Sequence, residues 1–584
     1  MSILSIRQRI ASKIGFWVCL IPMLFSCATA AQQSSSTSGT SFNTAQSPSS
    51  SEEGGQESTE ENVSFPKGED GFKVFEPSYF DNILDSSDSQ KKSKIHFGDV
   101  IPELPLYKTL RFYAAGEQIP VYAVKRNASQ VWDGEASNRQ DDAVASFSLE
   151  GKVTLKLQCA FNPLNDVTIR PLGRNVPYAI DKARWVISFT ISAPGQYVIE
   201  TRYRTLHLFV NPMTEAPSGS MVFKAGLHTK ENDSRINSKD EIILRNGSKV
   251  YFEEGAVIRA KLRASDAYNI SVTGPGFLDG STFDRSVKRG TTAVPVDFSY
   301  CHNVTLSDFA CLDPAGWTFN MFFDETVSMS NLKVISSRSN GDGISLQSCK
   351  NVKIDGCFLR TWDDSLVVKN YVNWRNGAEG ETSNIHFSNC LIITDLAQSM
   401  EIGYETIGTK MEDIFFSDIT VLHAYHKPVF SIHNGNNANI RNVRYENITV
   451  EDASIGKGDG TNALFDFDVS YSPTWSDNHK KTALGDISEV QCANIKILKG
   501  RESPQIKITG SVESRSDYPH VEHRVSGVDF EDVEIYGKPL NSSYPNLKIE
   551  HADAPSFSTT GKPISGASYA FSDVSSFGNN IERI

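Results

Sequence analysis

Asn340, Gly341, Asp342 and Gly343, followed by the pair Asp363 and Asp364, are the residues of this chain best suited to chemistry. Asp342 and Asp363 stand 21 residues apart, inside a run of short strand-like segments. Three carboxylates recurring in this way supply what acid/base cleavage of a glycosidic bond requires. One carboxyl must donate a proton to the leaving oxygen while another activates water.

The elements around these aspartates form a loose internal repeat. Asn269-Ile270, Asn303-Val304, Asn331-Leu332, Asn351-Val352, Asn384-Ile385 and Asn442-Val443 each open a segment such as Val304-Thr305-Leu306-Ser307 or Val352-Lys353-Ile354-Asp355, and Asp413-Ile414-Phe415-Phe416 fits the same register. Repeats of this length without helical periodicity predict a solenoid of stacked β-coils. A shared Asn at one point of each coil predicts a ladder of amides that donate to one coil and accept from the next. The expected fold is therefore all-β, a right-handed parallel β-helix. As turn residues, Asn, Gly and Asp would also suit the corners of such a helix. Against that bland reading, Asp364 leads straight into Ser365-Leu366-Val367-Val368-Lys369, a strand pattern.

The 584 residues of the whole chain divide by composition. Residues 1–27 carry Arg7, Arg9 and Lys13 ahead of an apolar stretch from Ile14 to Phe25, too short for a membrane span and suited to an export signal. Leu24-Phe25-Ser26-Cys27 resembles a lipoprotein processing site, with Cys27 acylated, while Ala28-Thr29-Ala30 suits ordinary cleavage before Ala31. Both readings stand, so the location is periplasmic, surface-anchored or secreted, with any membrane attachment through a lipid on Cys27. Residues 28–66 are a polar tether that cannot offset its ordering entropy. Residues 67–215 alternate as an antiparallel β-sandwich, 216–545 form the helix domain, and 546–584 a C-terminal extension. Within the sandwich, Asp141-Asp142 reads as a solvated turn. The formal charge of −13 excludes nucleic acid as a partner, since no segment supplies a basic face. Seven cysteines beyond the signal, without tight spacing, predict buried thiols stacked between coils, not a disulfide framework or zinc site.

Asn340-Gly341-Asp342-Gly343 and the Asp363-Asp364 pair resemble the motifs of pectate-lyase-like β-helix glycosidases, the polygalacturonases of glycoside hydrolase family 28 and the dextranases of family 49. The likeness covers about residues 246–535, and a preceding sandwich is similar to the family 49 layout. The resemblance implies a monomeric polysaccharide hydrolase that inverts anomeric configuration and needs no cofactor or metal. It implies Asp363 as general acid, with Asp342 and Asp364 binding and deprotonating the water. The chain departs from the polygalacturonases by Gly341 in place of Thr in Asn-Thr-Asp, by Gly403-Tyr404-Glu405 where Gly-His-Gly is expected, and by lacking Arg-Ile-Lys. Asn340, Trp362, Lys369, Tyr404, Glu405 and His433 are the candidate substrate-binding residues, with Trp362 and Tyr404 suited to stacking on sugar rings. Arg338, Arg360, Lys369 and Arg375 are cations near the motif that could hold a uronate or sulfate.

Two other classes fit part of the pattern. A polysaccharide lyase of the same fold would use a Ca²⁺ site, for which Asp342, Asp363 and Asp364 supply hard oxygen ligands. A non-catalytic carbohydrate-binding β-helix would retain binding without the aspartates.

Overall fold

The computed structural model describes residues 64–81, 93–126 and 141–567, apart from short breaks at 164–165, 203, 285–292, 459, 477–481 and 516–517. Cys27, the export signal and most of the tether lie outside the described residues.

Successive coils each contribute three strands. In one coil these are His302–Ser307, Ala310–Leu312 and Phe319–Phe322, and in the next Glu325–Ser330, Lys333–Ile335 and Ile344–Gln347. All pair in parallel with their counterparts one coil away. The third strands assemble an 11-stranded sheet from Glu241–Ile243 to Leu547–Glu550, here called the site sheet. The first and second strands share a 21-stranded sheet that runs to Ser556–Ser558. This is the parallel β-helix that the repeat predicts.

The alternation of each strand explains the packing, because every second side chain points into the coil. Val304, Val327, Val352, Ile385, Ile414 and Val443 stack in register along the interior. Phe387, Phe416 and Tyr445 continue a row of nearly parallel rings, with centroids 4.8 and 5.0 Å apart. Cys301, Cys311, Cys349, Cys357, Cys390 and Cys492 are free thiols in the same core, and Cys159 is buried in the sandwich. The buried-thiol expectation holds.

The Asn pattern resolves into two ladders. Asn303 donates to Asn269 (2.6 Å) and Asn384 to Asn351 (2.8 Å), and Asn442 donates to Asp413. Asn331 belongs to the other ladder, donating to Asp308 (2.9 Å), and Thr326 takes the first-ladder place in its coil. These positions share left-handed backbone, with φ of 57° at Asn269, 56° at Asn351 and 50° at Asn331, which Asn tolerates better than most residues. Asn351 is exposed, so the amide ladder there runs along the surface and does not satisfy buried backbone.

The N-terminal sandwich stacks a sheet containing Lys94–His96, Asp142–Glu150, Thr205–Pro212, Gly195–Glu200 and Thr168–Arg170 on one containing Leu110–Ala114, Val153–Cys159 and Val186–Ile191. One pair departs from the antiparallel expectation: Asp142–Glu150 runs parallel to Thr205–Pro212. Phe209, Val198 and Tyr122 of the sandwich pack on Phe358, Ile335 and Phe277, from the helix sheet next to the site corner.

Asp142 is not a solvated turn residue. It is buried at this interface, 2.8 Å from Arg360 and 3.1 Å from His207, and Arg360 also meets Asp395 at 2.8 Å. Burial alone would raise its pKa, but Arg360, Arg126 and His207 together hold it below the usual carboxylate range. Only Asp141 of that pair is exposed.

Candidate active site

The three aspartates lie at one corner of the helix, where the chain turns from the second strand of a coil into the site sheet. Asp342 precedes Ile344–Gln347 by two residues, and Asp364 precedes Leu366–Asn370 by two. Since Ile344 pairs with Leu366, the two aspartates stack in one column on adjacent coils, about 4.8 Å apart along the axis. Trp317 holds the same place one coil earlier and Gln398 one coil later. The column therefore reads Trp317, Asp342, Asp364, Gln398.

Local geometry fixes this corner. A Cβ on Gly341 would lie 2.0 Å from Ser336 Oγ and 2.6 Å from the Arg338 carbonyl, so no side chain fits where the related motif carries Thr. Gly343 donates to the Asp364 carbonyl at 2.8 Å, tying the two coils together. Thr361 Oγ1 donates to the Asp363 carbonyl (2.8 Å), and the Asp364 N–H donates to Asp363 Oδ1 (3.1 Å). These bonds shape the bend that lets adjacent aspartates share the site. The pair thus sits in a turn, and the strand begins only at Leu366, which removes the sequence argument that Asp364 opens directly into a strand.

The corner concentrates negative charge with little solvent. Asp342 is 2% exposed and its Oδ1 has no hydrogen-bond partner, while Asp364 accepts the Gln398 N–H at 3.0 Å. Burial, then the charge of Asp363, raises the pKa of Asp342 well above the usual range. Burial, Asp363 and Glu401 push Asp364 up to about 8. Asp363 is half-buried, the most exposed of the three.

Side chains projecting outward from the site sheet complete the surroundings. Lys369 is buried and ion-paired with Glu405 at 3.1 Å. Burial opposes its charge, yet Glu405 leads a group of anions that raise its pKa. His433 lies between Glu401 (2.8 Å) and Asp466 (3.4 Å). Although burial disfavours the imidazolium, Glu401 and Asp466 raise its pKa to about 10, so it is charged at neutral pH. Tyr404 stacks on the His433 ring at 4.3 Å between centroids.

Of the residues singled out in the sequence, Asp342, Asp363, Asp364, Lys369 and Glu405 are gathered at the corner, with mutual electrostatic influence. Asn340 is half-buried in the turn that leads to Asp342, with φ of 52°. Trp362 is only 3% exposed and offers no face to a sugar. Gly403-Tyr404-Glu405 lies within the Met400–Thr406 strand, so it is Gln398 that stands over Asp364 in that coil. The cations are already engaged. Arg338 is bound to Asp313 and the carbonyls of Gly280, Ser281 and Phe283, Arg360 to Asp142 and Asp395, and Arg375 to Asp266. Glu401, Trp317 and Gln398 escaped the sequence reading. A signal for the last two existed, since each stands two residues before the first inward side chain of its strand, as Asp342 does.

A parallel β-helix with carboxylates stacked at one corner of its site sheet is the framework of a β-helix glycosidase. Residues 226–552 match the family described as glycosyl hydrolases family 28, more than half of the chain, and the protein belongs to that family. Over 159 residues it is 22% identical to a probable polygalacturonase of Vitis vinifera, covering 27% of this chain and 32% of that protein. It is 26% identical over 126 residues to a probable polygalacturonase of Arabidopsis thaliana, covering 21% and 25% of the two chains. The matched stretch thus spans a third or less of these relatives. The structure is similar to Dex49A from Penicillium minioluteum at a TM-score of 0.51 and 12% identity, covering 78% of this chain and 96% of that one.

Proposed function

We propose that this protein is an exported, inverting glycoside hydrolase in which Asp363 protonates the leaving oxygen while Asp342 and Asp364 hold and deprotonate the attacking water. The observation that carries the reading is the stacking of Asp342 on Asp364 with the more exposed Asp363 beside them. Carboxylates this close and this buried cannot all ionise at neutral pH, so the cluster keeps a proton. Asp363 is the member nearest solvent and is placed to deliver it. Once the proton has left, Lys369 and the His433 imidazolium offset the charge that remains.

Polygalacturonase-like and dextranase-like action both fit this site. The chemistry is tested on purified protein by following reducing ends and unsaturated products together on galacturonan and dextran. Asp363→Asn should lower turnover steeply on polysaccharide and much less on activated aryl glycosides, whose leaving groups hardly need protonation. Asp342→Asn and Asp364→Asn should impair both. Unsaturated products, or wild-type rates in all three variants, would contradict the proposal.

A further inference from the structure

Resting on the hydrolase reading above, we infer that Arg360 is a positioning residue, fixed from the sandwich by Asp142, that holds the turns carrying Asp342, Asp364 and Gln398 at the spacing the attacking water needs. The sandwich then takes part in catalysis without touching the substrate.

Arg360 lies on the Phe358–Thr361 strand, and its neighbours across the sheet are Ile335 one coil before and Ile393 one coil after. Each of these strands leads into a turn of the site. Ser336 begins the stretch that ends in Asp342, Trp362 precedes the aspartate pair, and Asp395 stands shortly before Gln398. One guanidinium reaches across all three. Its Nη1 donates to the Ser336 carbonyl at 3.1 Å and meets Asp395 at 2.8 Å, while its Nε faces Asp142 at 2.8 Å. Backbone bonds run alongside. The Ser336 N–H donates to the Arg360 carbonyl (2.8 Å), the Asp395 N–H to that of Thr361 (3.0 Å) and the Leu396 N–H to that of Trp362 (2.8 Å).

Both ends of this clamp are rigidly connected to the carboxylates assigned to the water. Ser336 packs directly on Gly341, where even a Cβ would lie 2.0 Å from its Oγ, so a shift of Ser336 is passed to Asp342. On the other side, the Gln398 N–H donates to Asp364 Oδ1 at 3.0 Å, and the Gln398 carbonyl accepts the Ser365 N–H at 3.0 Å. A shift of Asp395 is therefore passed to Asp364. The planar fork of an arginine satisfies several acceptors in fixed directions, which a lysine ammonium does not. Asp142 supplies the opposing pull. Although burial acts against its charge, Arg360, Arg126 and His207 keep it ionised, and a buried cation set between two carboxylates has one favoured position. Arg360 and Asp142 are only 1% and 3% exposed, so neither offers a surface to a sugar, and any effect on turnover must pass through the corner.

Two variants test the clamp from its two sides. Arg360→Lys keeps the charge and loses the fork, and Asp142→Asn removes the sandwich's charge at constant shape, so either serves if the other fails to fold. The first readout is thermodynamic coupling to Asp364→Asn, taken from thermal melts at pH 7. A loosened corner lets the carboxylates separate and admits water, so the rise in Tm that Asp364→Asn produces should shrink by about half or more in each variant background. An unchanged rise in both backgrounds is the behaviour of independent sites and overturns the inference. This coupling needs no substrate. A failure of the hydrolase reading shows itself separately, as no reducing-end release by the wild type from dextran or galacturonan. On whichever polymer is cleaved, kcat should fall roughly 10–100-fold with KM held within about twofold, because misplacement of about 1 Å is felt in the reaction and not in binding. An activated aryl glycoside should lose as much, since the displaced groups are Asp342 and Asp364, and the alkaline limb of kcat should move to lower pH as the separated carboxylates give up their proton more readily. Wild-type kcat in both variants, or a raised KM at unchanged kcat, overturns the inference.

Discussion

Replacing Asp364 by Asn should stabilise the protein at neutral pH while removing activity. The Asp364 carboxyl is buried beside Asp363 and Glu401, which pushes its pKa from 3.8 to about 8. A carboxyl whose folded pKa is raised binds its proton more tightly in the native state. Native stability therefore falls as pH rises from about 4 to about 8, because the unfolded chain gives up that proton first. At 1.36 kcal/mol per unit, the penalty at pH 7 has a ceiling of about 4 kcal/mol; Asp342 and Asp363 share the same protons, so about half, ~2 kcal/mol, is the expected gain in the variant. Asn at 364 keeps the oxygen that accepts the Gln398 N–H and presents a neutral amide to Asp342. With an unfolding entropy of about 2 cal/mol/K per residue, a cooperative unit of this size converts ~2 kcal/mol into about 2 °C of Tm. Thermal melts of both proteins from pH 4 to pH 8 should show curves that coincide near pH 4 and separate progressively above it, with the variant higher. A variant that melts at or below the wild type at pH 7, or a difference independent of pH, would refute the claim that Asp364 is held under electrostatic strain.

Three further outcomes can be checked. Arg360→Met should cost about 3–5 kcal/mol in urea unfolding, since it strands buried Asp142 and Asp395 at the contact between sandwich and helix; a loss below 1 kcal/mol would mean that water reaches those carboxylates. Asn351→Ala should destabilise by about 1 kcal/mol through its left-handed backbone, whereas Asn351→Gly should be nearly neutral; equal losses in both would assign the cost to the amide ladder instead. If Cys27 is acylated, Cys27→Ala should move the protein from the detergent fraction to the soluble one, and unchanged partitioning would exclude a lipid anchor there.

The fold was largely legible in the sequence because a β-helix repeats its physics in every coil. The inward row from Val304 to Val443 and the left-handed Asn corners leave a periodic trace that needs no partner element to interpret. The aspartates were legible for the same reason, two of them occupying equivalent places in adjacent coils. What sequence could not supply was register across turns of unequal length. Asn331 resembled its neighbours by its aliphatic follower and yet belongs to the second ladder. Gln398 was hidden because the stretch from Thr361 to Met400 is longer than the coil before it, and the expected counterpart fell at Gly403-Tyr404-Glu405. Long-range pairing was equally out of reach. Asp142 looks like a loop residue until Arg360, more than 200 positions away, is folded against it. The same holds for the candidate cations Arg338 and Arg375, whose carboxylate partners come from other coils.

The central claim is that water, activated by Asp342 and Asp364, attacks opposite a bond protonated by Asp363. It is tested most directly by NMR of the first anomer released from whichever polysaccharide the enzyme cleaves, recorded before mutarotation. Acid and base on opposite sides of the bond, with room for water between them, predict a product of inverted configuration. A first product of retained configuration would require a covalent carboxylate intermediate and would contradict the account.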